Sequence, residues 1–210
     1  MRSKFKFYIL LFFLIIIIGI YGKISNLQSP EKFFSDLNDE ELRTLLATAG
    51  QTFSIDNRIK IQDCKVNGPL PDHLCTPGAI FPNATSGVIC VSGYTKIVRS
   101  VSTSLRKKVY QEYNIAYPPP TGSYEVDHLI PLELGGSNDI ANLFPESALP
   151  TPGFKEKDLV ENYLHNEVCA RRIDLSSAQK QIANNWLAVY QILTPKQISD
   201  LKSQYISWAN

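Results

Sequence analysis

Hydrophobic and polar positions divide the chain into an apolar run, a punctuated middle and a C-terminal half with helical spacing. From Phe7 to Tyr21 almost every residue is hydrocarbon. Ser29-Pro30-Glu31 has the chemistry of a helix start, with a hydroxyl cap, proline at the first helical position and an acid in the first turn. Asn38-Asp39-Glu40-Glu41 offers a second start, running through Leu42, Leu45 and Leu46 to Gly50 as a stop. Residues 53–90 are rich in Pro, Gly, Asn and Asp, which predicts an irregular region with short strands, one of them over Gly87 to Val91. Ser102-Thr103-Ser104 caps a predicted helix through Leu105, Val109 and Tyr113. Tyr124 to Ile130 reads as a strand, Leu132-Glu133-Leu134 as a second short one, and Gly135-Gly136 punctuates them. Helical spacing returns from about Lys155 to Cys169 and from Ser176 to about Leu193, where Ile182, Trp186, Val189 and Tyr190 form a core stripe. Thr194-Pro195 opens a final helix over 194–210, towards Trp208. The expectation is one α+β domain behind an N-terminal segment, with 23–75 as a helical and Cys-rich extension to a main body over 76–193.

Composition narrows the class. The 210 residues are 44% hydrophobic and 20% charged, which excludes a disordered, collagen-like or coiled-coil chain. The formal charge is +1, and residues 1–22 hold three bases (Arg2, Lys4, Lys6) and no acid. The remaining body has 18 basic against 20 acidic residues, so a globally basic nucleic-acid binder is excluded. A local basic stretch survives: Lys96, Arg99, Arg106, Lys107 and Lys108 occur between Val88 and Gln111 with no acid among them. Tyr94, Tyr110 and Tyr113 lie near it, as core residues or as stacking partners for unpaired bases.

Residues 1–22 read either as a cleaved secretory signal or as an uncleaved anchor through residues 5–22, and both place the body outside the cytoplasm. Cys64, Cys75, Cys90 and Cys169 agree with export, because an oxidising compartment would pair them as two disulfides in one of three ways.

The chemistry concentrates between Tyr124 and Glu146. Asp127 and His128 are adjacent, so along a strand they point to opposite faces. A carboxylate there can take a hard cation while the neutral imidazole accepts a proton from water. Asn142, returning across Gly135-Gly136, can hydrogen-bond His128 or its loop and fix the ring.

The stretch Asp127-His128-Leu129-Ile130-Pro131, the Gly-Gly turn and Asn142-Leu143 resemble the HNH endonuclease family of the ββα-metal class. Val88-Ile89-Cys90, Gly93-Tyr94, Val98-Arg99, Leu164-His165 and Val168-Cys169 extend the resemblance to an exported bacterial branch, over just more than half the chain. It implies a ββα-metal core and hydrolysis of phosphodiester bonds in nucleic acid. Asp127 matches the first metal ligand, His128 the general base and Asn142 the residue that steadies the base-bearing loop. The last ligand departs from the pattern, because Pro150-Thr151-Pro152-Gly153 stands where a compact motif would place it. On the displaced helix Asp158, Glu161 and His165 share a face, which makes His165 the first candidate ligand and Glu161 the reserve. One divalent ion is implied: Mg²⁺ suits an oxygen-rich site, and a His ligand admits Mn²⁺, Zn²⁺ or Ni²⁺. Arg99, Lys107 and Lys108 are the candidate phosphate contacts, and DNA is favoured over RNA, with low sequence specificity. The rival expectation is a catalytically silent HNH-fold module that binds a partner at the cell surface.

Overall fold

The computed structural model describes residues 53–54 and 56–204. The apolar run, the two helix starts before Gly50 and the chain beyond Gln204 with Trp208 lie outside the described residues. Strand β1 (Phe53–Ser54) pairs antiparallel with β2 (Ala79–Ile80). Three helices follow, α1 (Ser86–Ile89), α2 (Tyr94–Val98) and α3 (Thr103–Glu112). Strands β3 (Tyr124–His128) and β4 (Leu143–Ser147) then form an antiparallel pair, with 3-10 turns at Leu132–Leu134 and Ile140–Asn142 between them. Helices α4 (Phe154–Cys169), α5 (Leu175–Ile192) and α6 (Pro195–Gln204) complete the described chain, giving a mixed helix and strand fold.

Local chemistry explains most boundaries. Ser102 Oγ accepts from the Leu105 amide at 3.2 Å and starts α3, as its hydroxyl predicted. Glu156 reaches back to the Gly153 amide at 2.8 Å and starts α4. Helices α4 and α5 pack side by side, and Trp186 of α5 is fully buried with Ile182 and Ala178. Tyr94, Tyr110 and Tyr113 are core residues, the last with its hydroxyl 2.8 Å from Thr76 Oγ1, so they form no base-stacking platform.

Three local expectations are corrected. Gly87 to Val91 is not a strand: a strand would turn Val88 and Ile89 to opposite faces, whereas the short helix α1 buries both. Leu132-Glu133-Leu134 is a 3-10 turn, because Pro131 cannot donate to a ladder and Gly135, at φ +76°, closes the turn onto Leu132 O. The strand predicted over Tyr124 to Ile130 stops at His128: the Leu129 amide donates to the Asn142 carbonyl, and the Asn142 side chain takes both the amide and the carbonyl of Ile130. Strand β4 was not expected at all; Pro145 hides it, and an edge position in a two-stranded sheet tolerates the proline.

The cysteines pair as Cys64–Cys75 and Cys90–Cys169, and no thiol is free. Two disulfides belong to an oxidising environment outside the cytoplasm. No helix among the described residues is long and apolar enough to cross a membrane. The second bridge joins the end of α1 to the end of α4 across a separation of 79 residues, against 11 for the first. Loop entropy ranks their contributions at about 4.5 and about 2.8 kcal/mol. Urea unfolding of the Cys90→Ala/Cys169→Ala chain should therefore show the larger stability loss, and equal or reversed losses would defeat that ranking.

Candidate functional site

The β3–β4 pair sorts its side chains by face. Glu125 and Asp127 share one face with Glu146, which stands opposite Glu125, and His128 turns to the other. The acidic face meets α4, and His128 faces the segment that follows α2.

His128 is held at three levels. Its amide donates to Asp127 Oδ1 at 2.8 Å, and its carbonyl accepts from Lys157 Nζ at 2.7 Å. Its ring Nε2 lies 3.2 Å from Asn138 Oδ1. Asn138 Nδ2 donates to Val98 O and Asn138 Oδ1 also accepts from the Ser100 amide, so the amide can turn only its oxygen to the ring. Nε2 therefore carries the proton and Nδ1 holds the free lone pair. No described residue engages Nδ1. Burial pulls the His128 pKa down from 6.5 to about 4, so the imidazole is neutral and able to accept a proton at neutral pH.

Asn142 closes the loop that carries this ring. Its Nδ2 donates to Ile130 O at 2.8 Å and to Ser137 O at 2.9 Å. Its Oδ1 accepts from the Ile130 amide at 2.9 Å and the Ala79 amide at 3.3 Å, so the side chain is fully satisfied without water. Gly136 is required for this closure, because a Cβ there would lie 1.7 Å from Ile130 O and 2.9 Å from Asn142 Nδ2.

On the acidic face Lys157 is wholly buried, and its Nζ donates to Asp127 Oδ2 at 2.6 Å, to the His128 carbonyl and to Glu161 Oε1. Burial alone would raise Asp127 and lower Lys157. Their pairing outweighs it, holding Asp127 below the usual carboxylate range and Lys157 well above the usual lysine value. Burial pushes Glu146 and Glu161 well above the ordinary carboxylate value, and Asp127 adds to it in both. It also pushes Glu125 and Glu133 to about 7 and Asp158 to about 6. Glu146 is fully buried, with neither carboxyl oxygen in a well-aligned hydrogen bond.

The structure thus brings Asp127 and Glu161 together, but through an ammonium group. His165 Nδ1 lies 2.8 Å from the Glu133 carbonyl, to which it must donate, and Nε2 is 3.5 Å from Cys169 Sγ in the disulfide. Among the described residues no three His, Cys, Asp or Glu side chains form a group able to hold a metal ion. The donor set expected for a divalent ion does not fit one in this arrangement, since protein donors already engage it. Arg99 is exposed, and its charge reaches Glu125, His128, Glu133 and Asp158. Lys107 and Lys108 are exposed on α3, where Lys108 acts on Glu112.

Sequence reasoning missed Lys157, Asn138 and Glu146. Lys157 had a signal: it stands three residues before Val160 and seven before Leu164, on the stripe that α4 buries. Asn138, within a Ser-Asn-Asp turn, had none that separates it from ordinary loop chemistry.

Two outcomes follow. In NMR the His128 ring should titrate near 4 as the Nε2–H tautomer, and a transition near 6.5 would remove the buried, neutral base. The linkage has a definite sign: the unfolded chain binds this proton first, so the His128 contribution is complete above 6.5 and is lost as pH falls towards 4. Raised carboxyls such as Glu125 run the opposite way, which makes direct titration the cleaner measurement. Asn142→Ala should cost about 3 kcal/mol or more in urea unfolding, because it strands several buried backbone groups; a loss within the range of surface substitutions would show that the clamp is dispensable. Against known protein families, curated proteins and solved structures, the chain matches none.

Proposed function

We propose that the chain is a phosphodiester hydrolase of the HNH type acting on nucleic acid, DNA in the first place, with His128 as general base. The observation that carries this reading is the state of His128, neutral, fixed as one tautomer and clamped through its backbone. A structural histidine needs only one satisfied hydrogen bond; this one has Nε2, N–H and carbonyl all committed and Nδ1 left over. In the reaction Nδ1 takes a proton from water, the oxygen attacks phosphorus in line, and the bond to the leaving oxygen breaks as that oxygen takes a proton from solvent. General-base assistance of this kind contributes roughly 10²–10⁴-fold.

Asn142 keeps the loop closed and Asn138 aims the ring. Arg99 is the phosphate contact best placed for the chemistry, because its charge already reaches His128 and it is exposed to a ligand. Lys107 and Lys108 would extend the contact along the backbone of the polymer. A divalent ion of the kind the family uses would stabilise charge on the phosphate when bound. Lys157 already engages the oxygens such an ion would need. The two disulfides support an extracytoplasmic setting, in which a hydrolase of low sequence specificity is separated from the cell's own DNA.

One observation favours a second reading. Lys157, in place of a displaceable ligand, is what a silent scaffold retained for binding would also contain.

Incubating the full oxidised chain with supercoiled plasmid and with RNA separates the two. The experiment is run in EDTA and again with Mg²⁺, Mn²⁺, Zn²⁺ or Ni²⁺, with His128→Ala as control. Nicking that His128→Ala lowers by about 10²-fold or more supports the hydrolase, and Arg99→Ala should then weaken binding and flatten its salt dependence. A folded chain that cuts neither polymer under any of these conditions leaves the binding module as the reading.

A further inference from the structure

We propose that the Lys157 ammonium is the resident cation of this centre, holding Asp127, Glu161 and the His128 carbonyl where the family pattern would gather oxygens around a divalent ion, so that the centre works without one. The inference rests on the hydrolase reading for its catalytic part and on geometry alone for its binding part.

An ammonium group has three protons and no acceptor. Each proton of Lys157 is matched to one oxygen, on β3, on the backbone of His128 and one turn along α4. The group is fully buried, so leaving this position would strip it of all three partners with no water to replace them. A second cation among the same oxygens would have to displace it, and two cations could not share them.

The arrangement also says what Lys157 does. It donates to the His128 carbonyl and to Asp127 Oδ2, while Asp127 Oδ1 accepts from the His128 amide. One ion pair thereby ties both backbone ends of His128, and α4 is the anchor. Lys157 is a positioning residue: it has no proton left for a phosphate.

The test begins with the full oxidised chain stripped of metal, titrated with Mn²⁺ and followed by the EPR signal of the free ion. The unmodified chain should show no saturable site. Lys157→Ala should gain one Mn²⁺ per chain, with affinity at least about tenfold above the unmodified chain, and Asp127→Asn in the same background should remove it. In the cleavage assay the unmodified chain should work in EDTA, whereas Lys157→Ala should lose activity and regain it with Mn²⁺, a rescue that a merely structural lysine would not give. One Mn²⁺ bound by the unmodified chain and lost in Asp127→Asn overturns the proposal, as does cleavage abolished by EDTA. A Lys157→Ala chain that folds and gains no site overturns it too. If that variant does not fold, Lys157→Met, of similar length, takes its place, and the titration of the unmodified chain decides by itself. Absence of cleavage under every condition would count against the hydrolase reading, while the Mn²⁺ titration would still decide the identity of the resident cation.

Discussion

The side chain of Asn142 is the constraint on which the rest of the centre depends. It spends two donors and two acceptor positions on the backbone of three separate segments, β2, the residues just after β3 and the turn after Gly136. A loop of irregular backbone cannot be buried unless its polar groups are matched, and here one amide matches four of them. Everything next to it inherits that order. His128 stands two residues before Ile130, and Asn138 one residue after Ser137, so the clamp sets the distance between the ring and the amide that orients it.

Lys157 plays the complementary part on the opposite face of the strand. The clamp made by Asn142 is neutral and works through dipoles; the one made by Lys157 is ionic. A buried ion pair adds little net stability against a hydrophobic replacement, but losing one partner leaves a naked charge and costs a great deal. Such a pair is better understood as fixing one arrangement than as strengthening the fold. Here the arrangement fixed is the relation of α4 to the backbone of His128.

Most of the scaffold was legible in the chain. Ser102, the spacing along α4 and α5, and Thr194-Pro195 predicted their helices because each is local chemistry. The failures were also physical. Val88-Ile89 was ambiguous because a short apolar run reads equally as strand or helix, and only the burial of both residues decides. Strand β4 was hidden by Pro145, whose cost depends on whether its neighbour is present, which no local pattern records. In the candidate site, Asp127, His128 and Asn142 stand out in the chain because their residue types and spacing are restrictive, and the fold brings them to one end of β3. The partners of His128 were not, since Asn138 is contributed by tertiary approach to Val98 and Ser100, and a lysine on a buried stripe is easily passed over as a solvated end. The helical spacing of His165 puts it on the face of Asp158 and Glu161, but the fold gives its Nδ1 to the Glu133 carbonyl.

The order of the cysteines bears on how the chain can be assembled. First pairs with second and third with fourth, so neither loop encloses or crosses the other. A chain threaded through a pore from its N-terminus would present Cys75 and Cys169 each with its partner as the one thiol still unpaired ahead of it. Cys64 meets Cys75 first, and Cys90 then waits alone until Cys169 emerges with the end of α4. Correct bonding in that sequence asks for an oxidant but no reshuffling, and the last covalent event is the one that fastens the helix bearing Lys157.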